Sequence, residues 1–302
     1  TASKDDKFLG EVYKLRLLST GRELIDLAKP TQQPGQQALV IADPSFDLNK
    51  FSSNKVAFDQ SDQRGVQKRS SELDKKNWQP LPGTNKEGKA IAELIKAKLL
   101  TKEKATALSV QNQKTPKVLH IASHAYFLES KQEEKPNINT SISTSFSSDF
   151  SQTSKGESPL LKGGIVLAGA NQPDVNPKDD GYLTALEITK LDWNGTDLVV
   201  ISGCESGKGE IQYGAGVYGL KRAIAVAGSR SSLLSLWKVD DAATAAFMTK
   251  FYGKIKEGKD RADALSETQR EFRNHRITGW RHPHVWAAFQ LSGDWRPIRF
   301  SD

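Results

Sequence analysis

Lys117-Val118-Leu119-His120-Ile121-Ala122-Ser123-His124 and, 80 residues on, Asp197-Leu198-Val199-Val200-Ile201-Ser202-Gly203-Cys204-Glu205-Ser206-Gly207 decide how this chain folds. Each is a short apolar run rich in branched residues. Each stops at a small residue followed by a reactive one, His124 in the first and Cys204, the only cysteine, in the second. The carboxyl ends of parallel strands form one edge of a sheet, and ligand sites gather there. Side by side, these two strands would set an imidazole next to a thiol. That pairing makes a thiolate nucleophile at neutral pH.

The flanking segments extend the pattern. Ala38–Ala42 reads as a buried strand closed by Asp43-Pro44, and Gly164–Ala168, Ser231–Trp237 and Val285–Leu291 read as three more. Between them lie helical stretches at 184–190, 217–227, 242–256 and 261–274, and an amphipathic piece spans Val12 to Ala28. Leu81-Pro82-Gly83-Thr84 opens another helix. Thr84 with Glu87 three residues on matches a capping box, and Ile91, Leu94 and Ile95 supply its buried stripe. Strands alternating with helices predict an α/β fold with a largely parallel sheet and helices on both faces. Two stretches, 47–76 and 129–159, are polar without sustained period and are expected to be mobile loops.

Composition narrows the function. The 302 residues suit one large α/β domain or two small ones. One cysteine excludes an internal disulfide and fits a reducing, cytoplasmic setting. No apolar run approaches the roughly 20 residues of a membrane span, and no signal peptide opens the chain. A net charge of +7 comes from scattered lysines without an aromatic-interleaved basic motif, so nucleic acid is not an expected partner. The chain begins Thr1-Ala2-Ser3 without methionine, as expected of a fragment of a longer protein.

Several residues carry two readings. A free cysteine is often a small buried hydrophobe, yet Gly203 and the Glu205-Ser206-Gly207 turn leave room for a substrate and expose the thiol. His120 lies mid-strand and reads as a hydrogen-bonded core residue, whereas His124 at the strand tip is the better base. His282-Pro283-His284 and the His120/His124 pair lack the spacing of a metal site, and neither metal nor cofactor is expected. The glycine-rich stretch after Cys204 lacks a phosphate-loop spacing and reads as a flexible active-site loop. Asp240 and Asp241 precede a helix. One of them caps it, or a carboxylate there pairs with a cationic substrate side chain.

Taken together, these segments resemble the CHAT family, a caspase-like peptidase domain found beside tetratricopeptide repeats. Leu119-His120-Ile121-Ala122-Ser123-His124-Ala125 is similar to the family's Leu-His-x-Ala-Thr-His-Gly. Ile201-Ser202-Gly203-Cys204-Glu205-Ser206-Gly207 is similar to its Leu-Ser-Ala-Cys-Glu-Thr-Gly. Leu81–Thr84, Gly181–Ile188, Ser235–Asp241 and Trp286–Phe289 match further motifs, so the resemblance covers nearly the whole chain. It implies one caspase-like three-layer domain over 1–302, with His124 as base and Cys204 as nucleophile. It also implies an oxyanion hole of two backbone N–H groups, from Cys204 and Ala125. Alanine stands there where the family prefers glycine, and alanine takes positive φ only at a cost. Separases, which look related, place an acidic residue at the position of Asp241, in the pocket for a P1 arginine, and Asp240 and Glu205 would help it.

The expectation is a cysteine endopeptidase that cleaves a protein or peptide substrate after a basic residue, with a tetratricopeptide-repeat region as partner in cis or in trans. The rival expectation is a non-catalytic interaction module of the same fold.

Overall fold

Val118–Ala122, Leu39–Pro44 and Leu198–Ile201 are buried at every position. Strands covered on both faces have this character, because each face must be apolar. The computed structural model describes residues 13, 15–18, 21–28, 35–47, 69–128, 159–176, 178–203, 205–206 and 215–300. In chain order these residues form helix α1 (Arg22–Ala28), strand β1 (Leu39–Pro44), α2 (Pro82–Leu94), β2 (Lys98–Lys102), α3 (Ala107–Gln111), β3 (Val118–Ala122), β4 (Ala125–Phe127), β5 (Gly163–Val166) and β6 (Tyr182–Thr184). They continue with α4 (Ala185–Ile188), β7 (Leu198–Ile201), β8 (Glu205–Ser206), α5 (Ala215–Val226), β9 (Ser231–Ser235), α6 (Asp241–Lys256), α7 (Arg261–Arg273), α8 (Pro283–Trp286) and β10 (Phe289–Gly293).

The main sheet has the order β10-β9-β7-β3-β1-β2. All its neighbours are parallel except β10, which runs antiparallel to β9. Alternation divides the strands between two cores. Val40, Val118, Leu198, Val200 and Leu233 meet Ile91, Phe247, Phe251 and Phe272 of α2, α6 and α7. Leu39, Ile41, Leu119, Ile121, Val199 and Ile201 meet Val110, Ile188, Leu220 and Ile224 of α3, α4 and α5 on the other face. Each fully buried side chain of this size stabilises by roughly 1.5–3 kcal/mol relative to exposure. The fold is the α/β sandwich of three layers, caspase-like in arrangement.

A second, four-stranded sheet of order β6-β5-β4-β8 sits at the carboxyl edge of the first. Only Ser123 and His124 separate β3 from β4, and only residues 202–204 separate β7 from β8. Two neighbouring parallel strands thus pass from the main sheet into the small one side by side, β3 beside β7 and β4 beside β8. The crossing point is the place where His124 lies.

Three local expectations change. Thr84 is not a helix cap: α2 starts at Pro82 behind Leu81, and no side chain caps it. The Thr84 hydroxyl instead donates to the Leu81 carbonyl and accepts from the Asp43 N–H. Glu87 turns away to His120. Proline at the first helical position removes one of the unpaired N–H donors and the Leu81 carbonyl takes the Thr84 N–H, which leaves both side chains for tertiary contacts. The capping box belongs to Thr184 and Glu187 at α4. Val285 is helical, not extended, because the His282 side chain caps α8 and Pro283 launches it; the strand starts at Phe289. Within the stretch expected as a loop at 47–76, Ser71–Lys75 forms a 3-10 turn capped by Ser70, with Leu73 buried. Residues 48–68 and 129–158 lie outside the described residues.

Candidate active site

His124 is held on three sides. Its ring lies between Phe46 and Trp78, with centroids 5.2 Å from each. Its Nε2 is 2.8 Å from the Gln79 carbonyl oxygen. A carbonyl only accepts, so Nε2 carries the proton and donates. In the neutral ring Nδ1 is then the basic nitrogen. Pro80 explains why that carbonyl is available: a residue before proline is driven out of helical geometry, and α2 starts only at Pro82.

The chain around position 204 lies against the same segment. A Cβ on Gly203 would sit 1.6 Å from the Ser123 carbonyl oxygen, so only glycine allows this approach. On the other side, Glu205 pairs with Tyr126 in the parallel ladder of β8 and β4. Cys204 itself lies outside the described residues, as do residues 207–214 of the glycine-rich stretch, and the Glu205 side chain is not described.

The peptide joining His124 to Ala125 has a definite direction. The His124 carbonyl accepts from the Val166 N–H of β5 at 2.9 Å. In a trans peptide the N–H points opposite to the C=O. The Ala125 N–H is therefore aimed away from β5, toward the side on which β8 lies. Ala125 sits in β4 and is not among the non-glycine residues with positive φ. Alanine in place of glycine brings no backbone strain here.

Beside His124 is a cavity of about 30 Å³ lined by Leu81, Thr84, Glu87, His124, Ser202, Gly203, Lys238, Val239, Asp241 and Thr244. It is roughly the size of one or two water molecules. Asp241 lines it, and its Oδ2 accepts from the Gly83 N–H at 3.4 Å. A Cβ on Gly83 would lie 2.2 Å from the Asp241 Cβ, so the starts of α2 and α6 touch here. Asp240 does something else: it is exposed, and its side chain caps α6 by accepting from the Ala243 N–H at 3.0 Å. It is not part of the cavity lining. The two readings of the acidic pair thus fall on different residues, the cap on Asp240 and the cavity on Asp241. A larger groove of about 670 Å³ between the Leu15–Leu17 segment, α7 and β10 contains none of the site residues expected from the sequence.

His120 is fully buried beneath this cavity. Its Nε2 is 3.0 Å from Glu87 Oε1, and its Nδ1 is 3.3 Å from the Tyr252 hydroxyl. Burial, and then the charge of Glu87, push the Tyr252 phenol well above its ordinary range. It stays neutral at physiological pH. Sequence reading missed Gln79, Phe46, Trp78, Glu87 and Ser202 as neighbours of the site. Pro80 was the one signal pointing to Gln79. Among the described residues no cluster of His, Cys, Asp and Glu could hold a metal ion. No helix there is long and apolar enough to cross a membrane.

The sequence model of the CHAT domain matches residues 1–294. Tetratricopeptide repeat protein 28 of Homo sapiens is 27% identical over 230 residues, which is 74% of this chain and 9% of that protein. The Mus musculus protein of the same name matches over the same extent. This chain thus spans about a tenth of the length of those relatives. It belongs to the CHAT domain family.

Proposed function

From this membership and the geometry around His124, we propose that the chain is a cysteine endopeptidase acting on protein or peptide substrates. The observation that carries the reading is the Nε2 hydrogen bond to the Gln79 carbonyl. It fixes the ring so that Nδ1 is the base, beside the segment that carries Cys204. Nδ1 takes the Cys204 proton and the thiolate attacks the scissile carbonyl carbon. The N–H groups of Ala125 and Cys204 hold the oxyanion, each worth roughly 3–4 kcal/mol in well-studied cases. The imidazolium returns its proton to the leaving amine. Water, deprotonated by His124, then hydrolyses the thioester. The packing of Phe46 and Trp78 restrains the ring, so little orientation entropy is lost in the transition state.

Asp241 gives the proposal its specificity: cleavage after a basic residue, arginine above lysine. A carboxylate at the cavity wall rewards a guanidinium that bonds it twice, while lysine brings a point charge. An arginine side chain needs more room than about 30 Å³, so binding widens the contact between Asp241 and Gly83. That narrowness also favours a second reading, a non-catalytic docking module of the same fold. We further propose a cytoplasmic setting and a repeat region as partner, since the similar human protein is named for tetratricopeptide repeats.

A peptide-library cleavage profile of the purified chain, with Cys204→Ala as control, tests the reading. Cleavage after arginine that disappears in the control supports it. No cleavage by the parent supports the docking module. Cleavage after apolar residues keeps the dyad and removes the role of Asp241.

A further inference from the structure

We propose that Glu87 and Ser202 complete, with Asp241, an acceptor set that selects a guanidinium in this cavity; the inference rests on reading the cavity as the pocket for the P1 side chain. Glu87 is 1% exposed and Ser202 is 6% exposed. Both line the cavity with Asp241. The Ser202 hydroxyl is buried and has no hydrogen-bond partner among the described residues. Orphaned buried hydroxyls are uncommon in folded proteins and call for a reason. A ligand donor arriving in the cavity supplies one.

Glu87 keeps acceptor capacity beyond its bond to His120. Among the described residues, the Tyr252 hydroxyl makes one hydrogen bond, to His120 Nδ1. Tyr252 is fully buried, so its O–H needs an acceptor. If Tyr252 donates to Nδ1, that nitrogen carries no proton. Nε2–H then donates to Glu87 Oε1. The opposite assignment would strand the phenol O–H. The chain Tyr252–His120–Glu87 therefore orients the Glu87 carboxyl group, with His120 as its donor. A carboxylate has about four acceptor sites, and the bond from His120 uses one.

Among the described residues the cavity wall thus carries the two acidic side chains and the hydroxyls of Ser202, Thr84 and Thr244, of which only that of Ser202 is a buried orphan, against one lysine, Lys238, which is itself exposed. A guanidinium offers five N–H donors in a planar fork, enough to meet three acceptors. An ammonium meets them as a point charge. A neutral side chain would bury both carboxylates unpaired, which rejects it. Glu87 and Ser202 act here as specificity residues; neither touches the reacting atoms.

The test uses the whole chain and peptidyl acyloxymethyl ketones, in which the Cys204 thiolate displaces the acyloxy group as a carboxylate. The P1 residue is varied among arginine, citrulline, lysine and leucine. Citrulline keeps the shape of arginine and lacks its charge, so the arginine-to-citrulline ratio of labelling rates reads the acceptor set. Glu87→Gln keeps an oxygen for His120 Nε2–H and removes the charge. It is expected to lower the ratio by about ten- to a hundredfold, the worth of a hydrogen bond between charged groups. Among the described residues Ser202→Ala removes no other group's partner, so it is expected to fold even if Glu87→Gln does not. It is expected to lower the ratio by about two- to tenfold. Leucine labelling, which a merely structural defect would slow as much as arginine labelling, should fall less than arginine labelling in both variants. If the parent prefers arginine and both variants keep its ratio, the inference is overturned and Asp241 acts alone. If the parent labels with citrulline as fast as with arginine, or does not label, the reading of the cavity as a basic P1 pocket fails first.

Discussion

The two edges of the main sheet use polar residues in opposite ways. At the amino-terminal edge of β7 and β9, Arg261 and Asp294 are almost fully buried, at 1% and 2% exposure. Arg261 donates to the Ser231 hydroxyl and to the carbonyls of Asp197 and Arg296, and pairs with Asp294 at 3.3 Å. Asp294 also binds Arg230 and Arg296 at 3.0 and 2.8 Å. At the carboxyl edge, Ser202 lacks a partner among the described residues, and Asp241 holds the Gly83 N–H only at 3.4 Å. One edge is closed electrostatically and ties α7 and the segment after β10 to the starts of β7 and β9. The other keeps acceptor capacity unused, as a binding site needs. Burial alone does not separate them, since Glu87 and Arg261 are equally inaccessible; the saturation of their partners does.

The strongest way to break this comparison is Asp294→Ala. Removing one member of a buried ion pair leaves the other charged and unpaired, so urea unfolding should show a loss of about 3–5 kcal/mol. A loss below about 1 kcal/mol would mean that the closed edge contributes no more than a surface pair. At the open edge, His120→Ala leaves Glu87 without its donor and opens a cavity. It should cost about 2–3 kcal/mol. If it abolishes cleavage with an unchanged melting temperature, the base has been assigned to the wrong histidine.

Gly203→Ala drives a methyl group into the Ser123 carbonyl. It should destabilise by about 1–3 kcal/mol and reduce cleavage, because β3 and β7 can no longer approach at their tips. Unchanged cleavage by this variant would contradict the close pairing of the two strand ends.

Acid sharpens the comparison further. Burial alone would push the Asp294 carboxyl up, but the hydrogen bonds and charges of Arg296, Arg261 and Arg230 outweigh it and hold the carboxyl well below its usual range. A carboxyl depressed in the folded state adds stability that is fully present above the unfolded value near pH 4. That stability is lost as pH falls toward the folded value. Stability of the parent should thus decline below about pH 4, and Asp294→Asn should flatten part of that decline, as followed by urea midpoints. The smallest effect is expected for Thr84→Val, which removes a hydroxyl bridging Asp43 and Leu81. It should cost about 1–2 kcal/mol.

Much of the closed architecture could be read in the sequence, because strands covered on both faces are unbroken apolar runs. β1, β3 and β7 announce themselves in this way, and α6 and α7 follow the helical period. The small sheet leaves no such trace. β4, β6 and β8 have two or three residues each, too few for any period. Thr84-x-x-Glu87 and Thr184-x-x-Glu187 are the same pattern, and only the second is a capping box. Pro82 at the helix start and the buried His120 decide the first one differently. The partner of His124 is a backbone carbonyl, which carries no residue-type signature. His124 and Cys204 stand out in the sequence as candidate reactive residues, each just past an apolar run. Glu87 lies in a pattern that spells a helix cap, and Ser202 follows directly on an apolar strand, so neither stands out as part of a cavity wall.

The central claim is that His124, fixed by the Gln79 carbonyl, is the base for Cys204. The measurement that tests it most directly is the cleavage rate of His124→Ala against the parent on the best peptide, with unfolding free energies of both. General base catalysis contributes roughly 10²–10⁴-fold. A rate loss of about that size is expected, with stability lowered by no more than about 1–2 kcal/mol through the lost Gln79 bond and ring packing. A folded His124→Ala variant that cleaves at the parent rate would contradict the claim.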